Sequence, residues 1–106
     1  MSMTLGQPIT ATDQASSTRW SGSDDQPLPG TGATVRQVRV KAGHVAAKHS
    51  HAHEQFVLIV SGAGTLECDA GTIVLHPGTA IRFAPGAWHS AIFTSDTVLT
   101  EVNLAA

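Results

Sequence analysis

The sequence has no tyrosine, one cysteine and few charges. The lone Cys68 excludes an intrachain disulfide and a cysteine-rich zinc module; its expected role is that of a small buried hydrophobe. Charged residues make up 13% of the chain, about half the usual ~25%. So little charge leaves much of the surface poorly hydrated, and a homodimer is expected to cover part of it. The basic residues Arg19, Arg36, Arg39, Lys41, Lys48 and Arg82 form no dense run, and the net charge is −2. Phosphate affinity needs clustered Lys and Arg, so this pattern argues against nucleic acid and anionic membrane as partners. The longest wholly apolar run, Phe56–Val60, has five residues, against the ~20 of a membrane helix. Met1–Leu5 has no basic residue and no apolar signal segment, so the expected location is cytoplasmic.

What is present divides into two textures. Residues 1–34 are rich in Ser, Thr, Gly, Pro, Asp and Gln. They read as an irregular arm, with Pro27–Gly32 as loop and Trp20 as the one large anchor. From Val35 to Ala106 the chain reads as one domain of short segments rich in β-branched residues. Each is closed by a turn signal, such as Ser61-Gly62-Ala63-Gly64, Asp69-Ala70-Gly71, Pro77-Gly78 or Pro85-Gly86. Even spacing of that kind predicts an all-β antiparallel barrel or jelly roll. Phe56–Val60 is apolar on both pleat faces, so its outer face is expected to be covered by the arm or by a second copy.

The anomaly is histidine: six in all, four of them between His44 and His53. His49 and His51 stand two apart in a segment with strand character. They share a face there, close enough for both imidazoles to reach one ion. Gln55 lies too far along a straight strand to join them. It can sit opposite the pair if the chain turns at Ala52-His53-Glu54. His89, after the Pro85–Trp88 turn, is the distal partner. His44 is expected on the opposite face, His53 at a solvated turn tip and His76 in a turn. Glu54 reads as a solvated turn charge. Arg82 reads either as a surface strand residue or as an inward clamp for an anionic substrate. Glu101, on the last strand, is the candidate acid or base.

Gly43-x5-His49-x-His51-x3-Gln55-x6-Gly62 resembles the first signature of the cupins, and Gly78–Phe93 resembles the second, with Gly78, Gly86 and His89 at its fixed positions. Three positions depart from the pattern: Gln55 replaces Glu, Ala84 replaces Pro and Phe93 replaces Asn. The resemblance spans about residues 38–104 and implies a small single-domain cupin barrel of the HxHxHEQ type. It implies one divalent metal ion on His49, His51, Gln55 and His89. Three imidazoles with an amide oxygen suit Zn, Ni, Mn or Fe, and affinity order does not choose among them. A wholly neutral ligand set leaves the ion its full charge, which favours anionic or carbonyl-bearing small molecules. The implied function is a metal-dependent enzyme, dioxygenase-like or Lewis-acid in chemistry, with a pocket lined by Val45, Ala47, Val57, Ile59 and Phe93. The alternative is a non-catalytic small-molecule binding or sensing module.

Overall fold

The computed structural model describes residues 27–105. The arm around Trp20 lies outside them. Nine strands follow in order: β1 (Leu28–Pro29), β2 (Ala33–Val40), β3 (Val45–Ser50), β4 (Gln55–Ser61), β5 (Gly64–Cys68), β6 (Gly71–Leu75), β7 (Ala80–Phe83), β8 (Trp88–Phe93) and β9 (Thr97–Leu104). They form two antiparallel sheets, ordered β1-β2-β9-β4-β7 and β3-β8-β5-β6. This is the expected all-β jelly roll. The main strand begins at Ala33 rather than Val35, and Leu28–Pro29, expected as loop, pairs with Val35 and Thr34.

Alternation places the core between the sheets. Val57 and Ile59 of β4, Leu66 of β5, Leu75 of β6, Ile81 and Phe83 of β7, Ala91 and Phe93 of β8 and Leu99 of β9 are buried there. Gly62 permits the tight β4–β5 connection. Its φ is +107°, and a Cβ would fall 2.2 Å from Thr97 Oγ1 and 2.6 Å from Thr97 Cα. No side chain fits there without moving the start of β9.

Register then decides what faces inward at one end of the larger sheet. Arg36 of β2 pairs with Glu101 of β9, and Glu101 pairs with Val57 of β4. One row further out, Thr34 pairs with Asn103 and Asn103 with Gln55. These rows share the face of Val57 and Leu99, because strand residues two apart point the same way. The inner face is thus apolar at depth and polar at the rim. The outer face shows Leu58 and Val60 at 43% and 53% exposure, and among the described residues nothing covers them.

Candidate metal centre

β3 and β8 bring the histidines together through a register shift. Ala46 pairs with Ala91 and His49 with His89, so two residues of β3 (Ala47, Lys48) oppose one of β8 (Ser90). This β-bulge reverses the pleat phase of β3. Ala46 faces the core, and His49 faces the same side three positions later. The bulge breaks the alternation on which the expected placement of His44 rested. It also corrects the expected pocket lining: Val45 and Ala47 are exposed, whereas Val57, Ile59 and Phe93 face the interior. His44 lies at the other end of β3, its ring centroid 6.2 Å from that of Phe93. His76 is exposed in a turn.

His51 follows the end of β3, and its carbonyl accepts from the Gly86 N–H at 2.7 Å, tying it to the turn before β8. The chain does turn at Ala52–Glu54, and Gln55 opens the returning strand. The ligand nitrogens of His49, His51 and His89 lie within 4.8 Å of one another. Ring centroids are 4.2 Å apart for His49 and His89, and 5.0 Å for His49 and His51. His49 Nδ1 is 2.7 Å from the Ala47 carbonyl. A carbonyl only accepts, so Nδ1 carries the proton and Nε2 is left with its lone pair. Phe83 stacks on the His89 ring at 4.0 Å and fixes its plane.

The electrostatics suit ligation. Burial, then the neighbouring His49 and His51, hold the His89 imidazole below its ordinary pKa. Burial, then His49 and His53, do the same for His51, against a weaker opposing pull from Glu101. Both rings therefore favour the neutral, metal-binding form. The buried Nδ1 of His89 has no hydrogen-bond partner. A backbone contact with Ala87 pulls the other way. The donor set suits a divalent ion: three clustered imidazoles, two of them held toward the neutral form, offer nitrogen lone pairs.

Two cavities meet at the histidines. An inner one of about 90 Å³ is lined mostly by core residues, among them Leu66, Leu75 and Phe93, together with His49, Gln55, His89 and Glu101. An outer one of about 320 Å³ is lined by Thr34, Arg36, His49, His51, His53, Gln55, Glu101 and Asn103. Glu101 thus faces the site. Its Oε1 accepts from Arg36 Nη2 at 2.8 Å and Nε at 3.2 Å. Arg82 does not face it. Ile81 and Phe83 take the inward positions of β7, and Arg82 is exposed, ion-paired with Glu54. That pair also corrects Glu54, which is half-buried rather than solvated. His53 is also half-buried, bonded through Nε2 to Asn103 Oδ1 at 2.8 Å. Arg36 and Asn103 are the residues that sequence reasoning missed. The motif places its asparagine at position 93, and only the β2–β9–β4 register reveals these two.

A family model described as a cupin domain matches residues 36–103. The chain belongs to the cupin family. No curated protein matches it. Among solved structures, this cupin resembles a cupin protein from Bacteroides fragilis, with 24% identity, TM-score 0.68 and 84% of each chain covered. It also resembles the DMSP lyase DddQ from Ruegeria pomeroyi, with 17% identity, TM-score 0.66, and 72% of this chain and 40% of that one covered. A variant salicylate 1,2-dioxygenase from Pseudoaminobacter salicylatoxidans matches at 18% identity and TM-score 0.64, over 78% of this chain and 23% of that one. At these identities the likeness is one of fold.

Proposed function

We propose that this cupin is a metal-dependent enzyme acting on a small anionic or carbonyl-bearing molecule. One observation carries the reading: ligand nitrogens of three imidazoles lie within 4.8 Å of one another at the junction of a polar mouth and an apolar chamber. His49, His51 and His89, with the Gln55 amide oxygen, would hold a divalent ion, Zn, Ni, Mn or Fe. Bound there, it would supply Lewis acidity or, as a redox metal, dioxygenase-like chemistry. The chain's own residues do the rest. Arg36 takes the place expected of Arg82, as the cationic group at the mouth for a carboxylate. It holds Glu101 through Oε1 alone, so Oε2 is the oxygen left to accept or return a proton. The core side chains of the inner chamber exclude water behind the histidines.

The second reading, a binding or sensing module, is favoured by the scarcity of carboxylates: among the described residues Glu101 is the sole one lining either cavity. The test begins with elemental analysis of protein purified without an affinity tag, beside His51→Ala. Thermal-shift and oxygen-uptake screens with small carboxylates and diketones follow. A ligand at one hundred times its Kd should stabilise the metal-loaded protein by about 2.7 kcal/mol and leave the metal-free protein unchanged. Unchanged metal content in His51→Ala would sink the site. Metal-dependent binding without turnover would favour the sensing module.

A further inference from the structure

We propose that Asn103 is a positioning residue that selects which end of the Gln55 amide faces the histidine cluster; this rests on the reading of Gln55 as a ligand. Gln55 and Asn103 are cross-strand partners on β4 and β9. Gln55 Nε2 donates to Asn103 Oδ1 at 2.9 Å. The same oxygen lies 2.8 Å from His53 Nε2. A carbonyl oxygen only accepts, so His53 carries its proton on Nε2, and Asn103 receives two hydrogen bonds at one atom. With Oε1 of Gln55 turned to the cluster those bonds hold Asn103 as well, because turning Asn103 over alone would set its NH2 against the NH2 of Gln55.

The consequence lies in the chemistry of an amide. Its oxygen can ligate a cation and its NH2 cannot, so glutamine has a wrong end. Gln55 is only 3% exposed, and no bulk water is at hand to satisfy a reversed amide. With Nε2 committed to Asn103, Oε1 is the end left for the cavity that Gln55 lines with His49 and Glu101. A glutamate at this position would need no such selection, because both of its ends are oxygen. The Asn103–His53 pair is therefore the companion of having glutamine at position 55. His53, expected to be solvated, is the brace of that companion.

The experiment is a chelator-competition titration of cobalt(II), with the visible absorption spectrum of the cobalt-loaded protein as a second readout. Asn103→Leu should weaken cobalt binding about 10–100-fold, as loss of an orienting group around a metal typically does, and should alter the spectrum. Asn103→Asp, which keeps an acceptor oxygen, should bind within about threefold of the parent. In a Gln55→Glu background, Asn103→Leu should change affinity by less than about threefold, because a carboxylate offers oxygen at either end. Equal loss in both backgrounds would show that Asn103 supports the fold rather than the amide and would overturn the proposal. No loss in the parent background would overturn it too. Gln55→Leu separates the two readings. Unchanged cobalt affinity in Gln55→Leu removes Gln55 as a ligand, and the selection with it. Weakened binding there beside a harmless Asn103→Leu removes the selection alone. If Asn103→Leu does not fold, Asn103→Ser, too short to reach Gln55, takes its place with the same expectations.

Discussion

The two faces of the larger sheet differ by one residue of alternation, and each carries an arginine–glutamate pair. On the inner face Arg36 and Glu101 sit directly opposite each other across β2 and β9, at the edge of the histidine cluster. On the outer face Arg82 meets Glu54 beside Phe56, its partner across β7 and β4. The residue types are the same and the roles are not. The inner pair lines the mouth beside His51, whose burial favours its neutral form, so its charge is felt by whatever enters. The outer pair is screened by solvent, and such pairs contribute about 0–1 kcal/mol. At the rim the usual sheet pattern is inverted: polar residues point in, and Phe56 and Leu58 point out. An inverted rim is where a barrel can admit a ligand, and an apolar outer face is where a second copy would pack.

The contrast can be tested most severely with two phenylalanines. Phe83→Ala, inside, should cost about 3–5 kcal/mol in chemical denaturation, the range for a large buried aromatic, and should also weaken metal binding by freeing the His89 ring. Phe56→Ala, outside, should cost less and leave metal affinity alone. Equal costs would erase the distinction between the faces. Next in size is the assembly. If a second copy covers the outer face, Leu58→Asp should weaken the dimer by about 2 kcal/mol or more, the scale of a central interface residue. Sedimentation would show this as dissociation with unchanged metal content, and a parent protein already monomeric at micromolar concentration would remove the dimer.

A smaller effect separates the arginines. Arg36→Gln should weaken binding of small carboxylates to the metal-loaded protein about tenfold, the scale of one charge-assisted hydrogen bond, and Arg82→Gln should not. Thermal-shift titration reads both. The smallest effect is on pH. His51 and His89 are held below their ordinary pKa of 6.5 when folded, so the unfolded chain takes up protons first as pH falls. The metal-free protein should therefore lose stability as pH drops below about 6.5 and on through the lower folded values. The His51→Ala/His89→Ala double variant should melt with a flatter pH dependence, and an unchanged slope would place the proton uptake elsewhere.

The strands were legible in the sequence because turn chemistry is local: glycine and proline pairs close each segment, and Gly62 sits where no Cβ fits. The histidine set was legible because His49 and His89 stand in motif positions and the turn at Ala52–Glu54 has its own signature. Facing was harder. Ile81 and Phe83 flank Arg82 in plain alternation and take the inward positions, which turns outward an arginine that the sequence left open between surface and clamp. Val45 and Ala47 were placed inside on the assumption of an unbroken pleat, and no residue type in β3 announces the bulge. Arg36 and Asn103 matter through partners 65 and 48 positions away in sequence. Such pairings depend on register between distant strands, which composition and spacing do not encode.

The bulge at Ala47 and Lys48 works like a shift of reading frame. Upstream of it β3 runs in one phase, with Ala46 inward. Downstream it runs in the other, with His49 inward opposite His89. Removing one residue there would shorten the chain by less than 1% of its 106 residues and delete none of the histidines. It would leave Ala46 and His49 two apart in an unbroken pleat, both still facing inward opposite Ala91 and His89. Kept at full length but drawn straight, β3 would instead set Lys48 opposite His89 and turn His49 outward: every ligand can be present in the sequence and the site still be lost.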